Sequence, residues 1–139
     1  MLSLPTRHAE KLRFGTVGIA NTALDFAILF LLVNFGLDKI ASNYISTSIS
    51  FIFSFFVNRS FTFKSKSDDK KRQFFMFFIV TVFGLWVIQP IVITATVWLI
   101  SSQGITDSVV LLIAKLLATI ASLIWNYVLY SRLVFKKEL

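Results

Sequence analysis

Cysteine is absent from the 139 residues, which excludes disulfides and thiolate metal sites. Acidic residues number only 7, prolines 2, and His8 is the single histidine. No HExxH, GxSxG, GxxxxGK[ST] or DxD-type segment occurs, and carboxylates are not paired. Asp25 is the one acid inside an apolar block, and no histidine accompanies the serines at depth. Covalent catalysis therefore has no residues to run on, and no metal or cofactor is implied. The composition expected of a soluble domain is missing as well. A chain that is 56% hydrophobic with 16 Phe has more apolar surface than a water-soluble fold of this size can bury.

What the chain does have is long apolar blocks. Residues 14–35, 40–57, 74–100 and 109–130 are each roughly 18–27 residues long, and about 20 residues of helix cross the ~30 Å hydrocarbon core. The expectation is an all-α integral membrane protein, a single domain over 1–139 with four transmembrane helices. The first block is too long for the h-region of a cleavable signal, carries Asp25, and has no small-x-small site after it.

Lysine and arginine set the topology. Arg7, Lys11 and Arg13 precede the first block. Arg59, Lys64, Lys66, Lys70, Lys71 and Arg72 lie between the second and third, and Arg132, Lys136 and Lys137 follow the fourth. The two remaining loops hold only Lys39. This asymmetry puts both termini in the cytoplasm of a multi-pass protein of the inner (plasma) membrane. The net charge of +7 belongs to that orientation and to anionic headgroups, and no nucleic-acid partner is expected.

The polar linker SKSDDKKRQ (65–73) divides the chain into two helical hairpins. A shift of 72 residues aligns the second block with the fourth: Thr47 with Thr119, Ser50 with Ser122, Ile52 with Ile124, Phe63 with Phe135, Lys64 with Lys136. The first and third blocks match at a shift of 60, which aligns Phe14 with Phe74. Two hairpins that start and finish on one side form a parallel repeat. Ser42, Ser46, Ser50, Ser54 and Asn58 recur every four residues, and Ala114, Ala118, Ser122 and Asn126 stand at the corresponding spacing. Such a face allows close helix packing, and it also suits a polar path for a headgroup.

Asp25 lies near mid-bilayer, with Asn21 one turn earlier on the same face. An ionised carboxylate there needs a partner or water. Lys115, in the last block, has a stem long enough either to snorkel outward or to reach toward Asp25. Gln89, just before Pro90, adds a polar group near the same depth, and Pro90 is expected to kink its helix. At the cytoplasmic ends, Arg59 and Arg132 stand among aromatic residues (Phe61, Phe63, Phe135) and present planar donor forks that suit phosphate oxygens.

At these residues the chain resembles the GtrA family. The similarity is carried by RFGTVGIANTALDF (13–26), SFFVNRSFTF (54–63) and AKLLATIASLIWNYVLYSRLVF (114–135), and covers nearly the whole chain. The second ending departs from the first, with Tyr130-Ser131-Arg132 where the first has Asn58-Arg59-Ser60. The resemblance implies translocation of a polyprenyl-phosphate-linked sugar for cell-envelope glycosylation. Recruitment of a partner glycosyltransferase and recycling of the lipid carrier are the alternatives it also implies. By motif position it carries over Asn21, Asp25, Asn58, Arg59, Lys115 and Arg132 as substrate-binding residues, and Asn126 joins them on the same face. On that reading Arg59 and Arg132 take the phosphate, and the sugar passes Asn21, Asp25, Ser50, Ser122 and Lys115. A small multidrug-type exporter, also of this size, would use a membrane carboxylate but would not need the arginines. Four thin helices enclose little volume, so a homodimer is expected.

Overall fold

A computed structural model describes residues 6–136 of the chain. Residues 1–5 and 137–139, Lys137 among them, lie outside the described residues, as does the side chain of Ile40. Among the described residues every element is helical. Helix α1 spans Thr6–Asn34 and α2 spans Lys39–Val57, which runs on into a π-helical turn, Asn58–Thr62. Helix α3, Lys70–Phe83, passes through a second π segment, Gly84–Ile88, into α4, Gln89–Ile100. Helix α5, Asp107–Leu129, ends in a third π segment, Tyr130–Val134.

Three of these helical stretches are long and apolar enough to cross a membrane among the described residues: Thr6–Asn34, Lys70–Gln103 and Asp107–Val134. The segment expected as a further span, 40–57, is helical as α2 but is not one of the three. Its 19 residues include Ser42, Asn43, Ser46, Thr47, Ser48, Ser50 and Ser54. Large apolar side chains such as Phe26, Phe30, Trp86, Trp98, Leu112 and Ile120 stay exposed on the long helices. Surface of this kind is at home in lipid, where the backbone must satisfy itself and helix does so.

The chain divides into two compact units, Met1–Lys66 and Ser67–Leu139, and the boundary falls within the polar linker. In the first unit α1 packs along α2. Gly36, at φ 90°, ends α1: Leu37 N donates to Leu32 O and Gly36 N to Val33 O, the paired bonds of a left-handed C-terminal cap. Asp38 then starts α2, its carboxylate accepting from Ala41 N at 3.1 Å. In the second unit α4 packs along α5, and α3 touches the foot of α5. Asp69 caps α3 by accepting from Arg72 N at 3.2 Å.

Helices extend beyond the apolar blocks at their polar ends. The first was expected over 14–35 and begins at Thr6, because the backbone ladder continues through residues that hydropathy does not count. The helix that carries Pro90 changes from α to π and back just before it. Pro90 sits in the first turn of α4, just past the widened turn Gly84–Ile88, where the donor it lacks is not needed in an α ladder.

Burial repeats at the 72-residue shift. Ser42, Ser46, Ser50, Asn58, Thr62 and Phe63 are buried in the first unit, and Ala114, Ala118, Ser122, Tyr130, Val134 and Phe135 in the second. The π turns repeat too: Phe63 N donates to Asn58 O at 2.9 Å, and Phe135 N to Tyr130 O at 2.8 Å. For the first helices the shift of 60 is superseded. Phe14 packs on Phe63 and Phe77 on Phe135, so the partner of Phe14 is Phe77 rather than Phe74. Apolar sequence aligns by chance at several shifts, and the ring contacts choose among them.

Candidate functional site

The residues singled out by sequence fall in both units. In the first, the foot is held by Arg13, whose Nε and Nη2 both donate to the Thr62 carbonyl, at 3.3 and 3.2 Å. Phe14 and Phe63 meet beside it with ring centroids 6.3 Å apart. Lys64 takes a left-handed φ of 49° and ends the run. Asn58 is buried and donates through Nδ2 to Ser54 O at 2.9 Å and Ser54 Oγ at 3.1 Å. Arg59, the next residue, is half-buried in the same π turn.

The foot contacts also fix the register of this helix pair. From Arg13 to Asp25 is twelve residues along α1, and from Thr62 to Ser50 is twelve back along the π turn and α2. Both therefore lie about 18 Å from the foot at 1.5 Å per residue. The other end agrees. Asp25 is about 14 Å below the end of α1 and Ser50 about 16 Å below the start of α2 by the same rise, a difference of less than one turn. Arg13, Val17, Asn21 and Asp25 fall on one stripe of α1, the stripe that meets α2 at the foot. By this register Asp25 and Ser50 lie at one depth of the hairpin, and Asn21 lies one turn nearer the foot on the Asp25 stripe. Each keeps an oxygen buried without a hydrogen-bond partner: Asn21 Oδ1, Asp25 Oδ1 and Ser50 Oγ.

The second unit bonds several of its polar groups to one another. Lys115 Nζ donates to Gln89 Oε1 at 2.8 Å, Gln89 Nε2 to Ser122 Oγ at 2.9 Å, and Ser122 Oγ to Thr119 O at 3.0 Å. This chain of four residues places the ammonium of Lys115 on a neutral amide of its own unit. Asn126 packs against Gly84, where a Cβ would stand 3.0 Å from Asn126 Oδ1 and 3.3 Å from Trp125 Cδ1. Trp125 Nε1 donates to the Val80 carbonyl at 3.2 Å, just before the widened turn. Below it Tyr130 stacks on Phe77, with centroids 4.4 Å apart, and its hydroxyl bonds that of Thr81. Arg132 is exposed in the last π segment.

Of the expected site residues, Asn21 and Asp25 share one stripe of α1 and Ser50 lies at the depth of Asp25 by the register, while Lys115 bonds Gln89, which bonds Ser122. Arg59 and Arg132 occupy the corresponding π turns of separate units, one residue apart in register, one half-buried and the other exposed. Sequence reasoning missed two residues. Arg13 counted only as a topology marker, although it stands one turn below Val17 on the Asn21–Asp25 stripe. Gln89 was noticed beside Pro90, yet its role needs the register with Ser122, which no local pattern carries.

Comparison with known proteins bears on this geometry. The profile of the family described as GtrA/DPMS, transmembrane domain, matches residues 13–135. The chain is also similar to a protein of Bacillus subtilis (strain 168) named uncharacterized membrane protein YngA. The two are 29% identical over 118 residues, which covers 84% of this chain and 72% of that protein.

Proposed function

The chain belongs to the GtrA/DPMS transmembrane-domain family, and from that premise we propose that it carries a polyprenyl-phosphate-linked sugar from the cytoplasmic to the outer leaflet of the plasma membrane. Family membership points to polyprenyl-phosphate sugar handling, and the chain is a membrane protein with several apolar helices. The finer reading has four spans, α2 included, with both termini cytoplasmic, since Lys and Arg gather at the feet of both hairpins and only Lys39 lies in the opposite loops. Arg59 and Arg132 meet the lipid phosphate at that face. The stripe running up from Arg59 through Ser54 and Ser50, with Asn21 and Asp25 of α1 beside it, gives the sugar its polar route. The chain acts as a carrier and not as an enzyme, and a homodimer supplies the enclosed volume.

One observation carries this reading: in the first unit a polar stripe, buried at Asn58 and Ser50, runs from the arginine-bearing foot to mid-helix. Reconstitution into liposomes with a fluorescent polyprenyl-phosphate sugar tests it. Protection of the sugar from a membrane-impermeant quencher or lectin should decay with the protein present and persist without it. An intact fold with no movement in the absence of any other protein would favour the second reading, a non-transporting adaptor for a glycosyltransferase. That reading is favoured by the solvent-facing cations of the linker, Lys66, Lys70, Lys71 and Arg72, which a partner's surface could engage.

A further inference from the structure

A buried carboxylate in lipid must be neutralised, hydrated or paired. Asp25 has none of the usual protein partners in its own hairpin. No Lys, Arg or His occurs between residues 14 and 38 or between 40 and 58. Arg13, about 18 Å below by the helical rise, is occupied by the Thr62 carbonyl. The other charged groups of this hairpin, Glu10, Arg59, Asp38 and Lys39 included, likewise lie at its two ends. In the second unit Lys115 Nζ donates to Gln89 Oε1.

The neighbours of Asp25 sharpen the problem. Asn21 Oδ1 and Ser50 Oγ are buried oxygens without partners, and Ser50 is only 2% exposed. Three unpartnered oxygens, one of them a carboxylate oxygen, thus lie within about one helical turn of depth in one helix pair. Sugar hydroxyls could occupy the lone pairs but would leave the charge in place. Oxygen donors with one negative charge suit a hard monovalent ion, and a carboxylate among acceptors equally suits a proton.

We propose that the Asn21–Asp25–Ser50 cluster binds a small monovalent cation, a proton or Na+, which neutralises Asp25 at mid-membrane. Its natural use is to tie a conformational change of the first hairpin to an ion gradient, as midplane ion sites do in other carriers. The inference goes beyond the transport reading and stands without it, because the site can be measured with no lipid-linked sugar present.

The full chain in lipid nanodiscs, prepared in choline buffer, is the sample. Saturable radiosodium binding that Asp25→Asn abolishes and Ser50→Ala weakens about tenfold, the effect of one lost ligand to a charge, identifies Na+. Absence of sodium binding, together with an infrared carboxylic-acid C=O band at neutral pH that Asp25→Asn removes and Ser50→Ala shifts, identifies the proton. An ionised Asp25 at neutral pH, indifferent to sodium, overturns the proposal. Circular dichroism checks that each variant is folded. If Asp25→Asn fails to fold, Asn21→Ala and Ser50→Ala decide the matter: sodium affinity and the C=O band both unchanged in both variants would overturn it equally.

Discussion

Ser50 and Ser122 stand 72 residues apart at the same place in their helices, and both are buried. Ser122 accepts a hydrogen bond from Gln89, while Ser50 has no partner for its hydroxyl. The contrast extends along the hairpins. Among the described residues, six buried side-chain oxygens without partners belong to the first unit: those of Asn21, Asp25, Ser42, Ser50, Asn58 and Thr62. The second unit has one, Asn126 Oδ1, pressed on Gly84. One hairpin has closed its polar groups on each other and the other has left them open. Unmet hydrogen-bonding capacity costs stability, and among the described residues that cost falls mainly on the first unit.

The largest effect expected from breaking this contrast is at Asp25. Asp25→Asn should reduce movement of a fluorescent lipid-linked sugar by about a hundredfold or more, since mid-membrane acids are functional by default, while leaving helix content unchanged. Transport at the wild-type rate would place the function elsewhere. Gln89→Leu removes the acceptor of Lys115 and the donor to Ser122, and should lower unfolding stability in detergent by about 2–3 kcal/mol. Its effect should appear in the melting temperature before it appears in ligand affinity. Arg13→Ala frees the Thr62 carbonyl and should cost about 1.5–2 kcal/mol, the range for a charge-assisted bond to a half-exposed group. Gly84→Ala drives a methyl toward Asn126 and Trp125 and should cost about 1–1.5 kcal/mol, read as a lower melting temperature. The finest comparison is the serine pair. Ser122→Ala should destabilise by about 0.6 kcal/mol, typical of a hydrogen bond between membrane helices, whereas Ser50→Ala should leave stability unchanged or raise it. Equal losses at the two serines would erase the distinction drawn between the hairpins.

The helical segments were legible because lipid demands long apolar runs, and hydropathy reads these directly. The ends of those segments were not. Thr6–Arg13 is helical though polar, and the π turns at Asn58–Thr62 and Tyr130–Val134 carry their helices past the last apolar residue of each block. The repeat of the serine-bearing helices could be read from spacing, because small residues every four positions are uncommon. The matching shift of the first helices could not, since Phe, Ile and Val align anywhere in such sequence. At the candidate site, Asn21 and Asp25 were visible from their shared face. The bond from Lys115 to Gln89 depends on how two antiparallel helices are registered, and that register is set by Gly84, Trp125 and Tyr130, whose contacts are all long-range.

The widened turns distinguish the two hairpins in one further way. A π turn is rare and occurs mostly as a single-turn bulge inside an α-helix, often where function sits. The turns at Asn58–Thr62 and Tyr130–Val134 occupy the same place in both hairpins, whereas Gly84–Ile88 has no counterpart in α1, which is α-helical throughout Thr6–Asn34. The widened mid-helix turn of the second unit thus has no equivalent in the first, and it stands immediately before Gln89, the residue that ties Lys115 to Ser122.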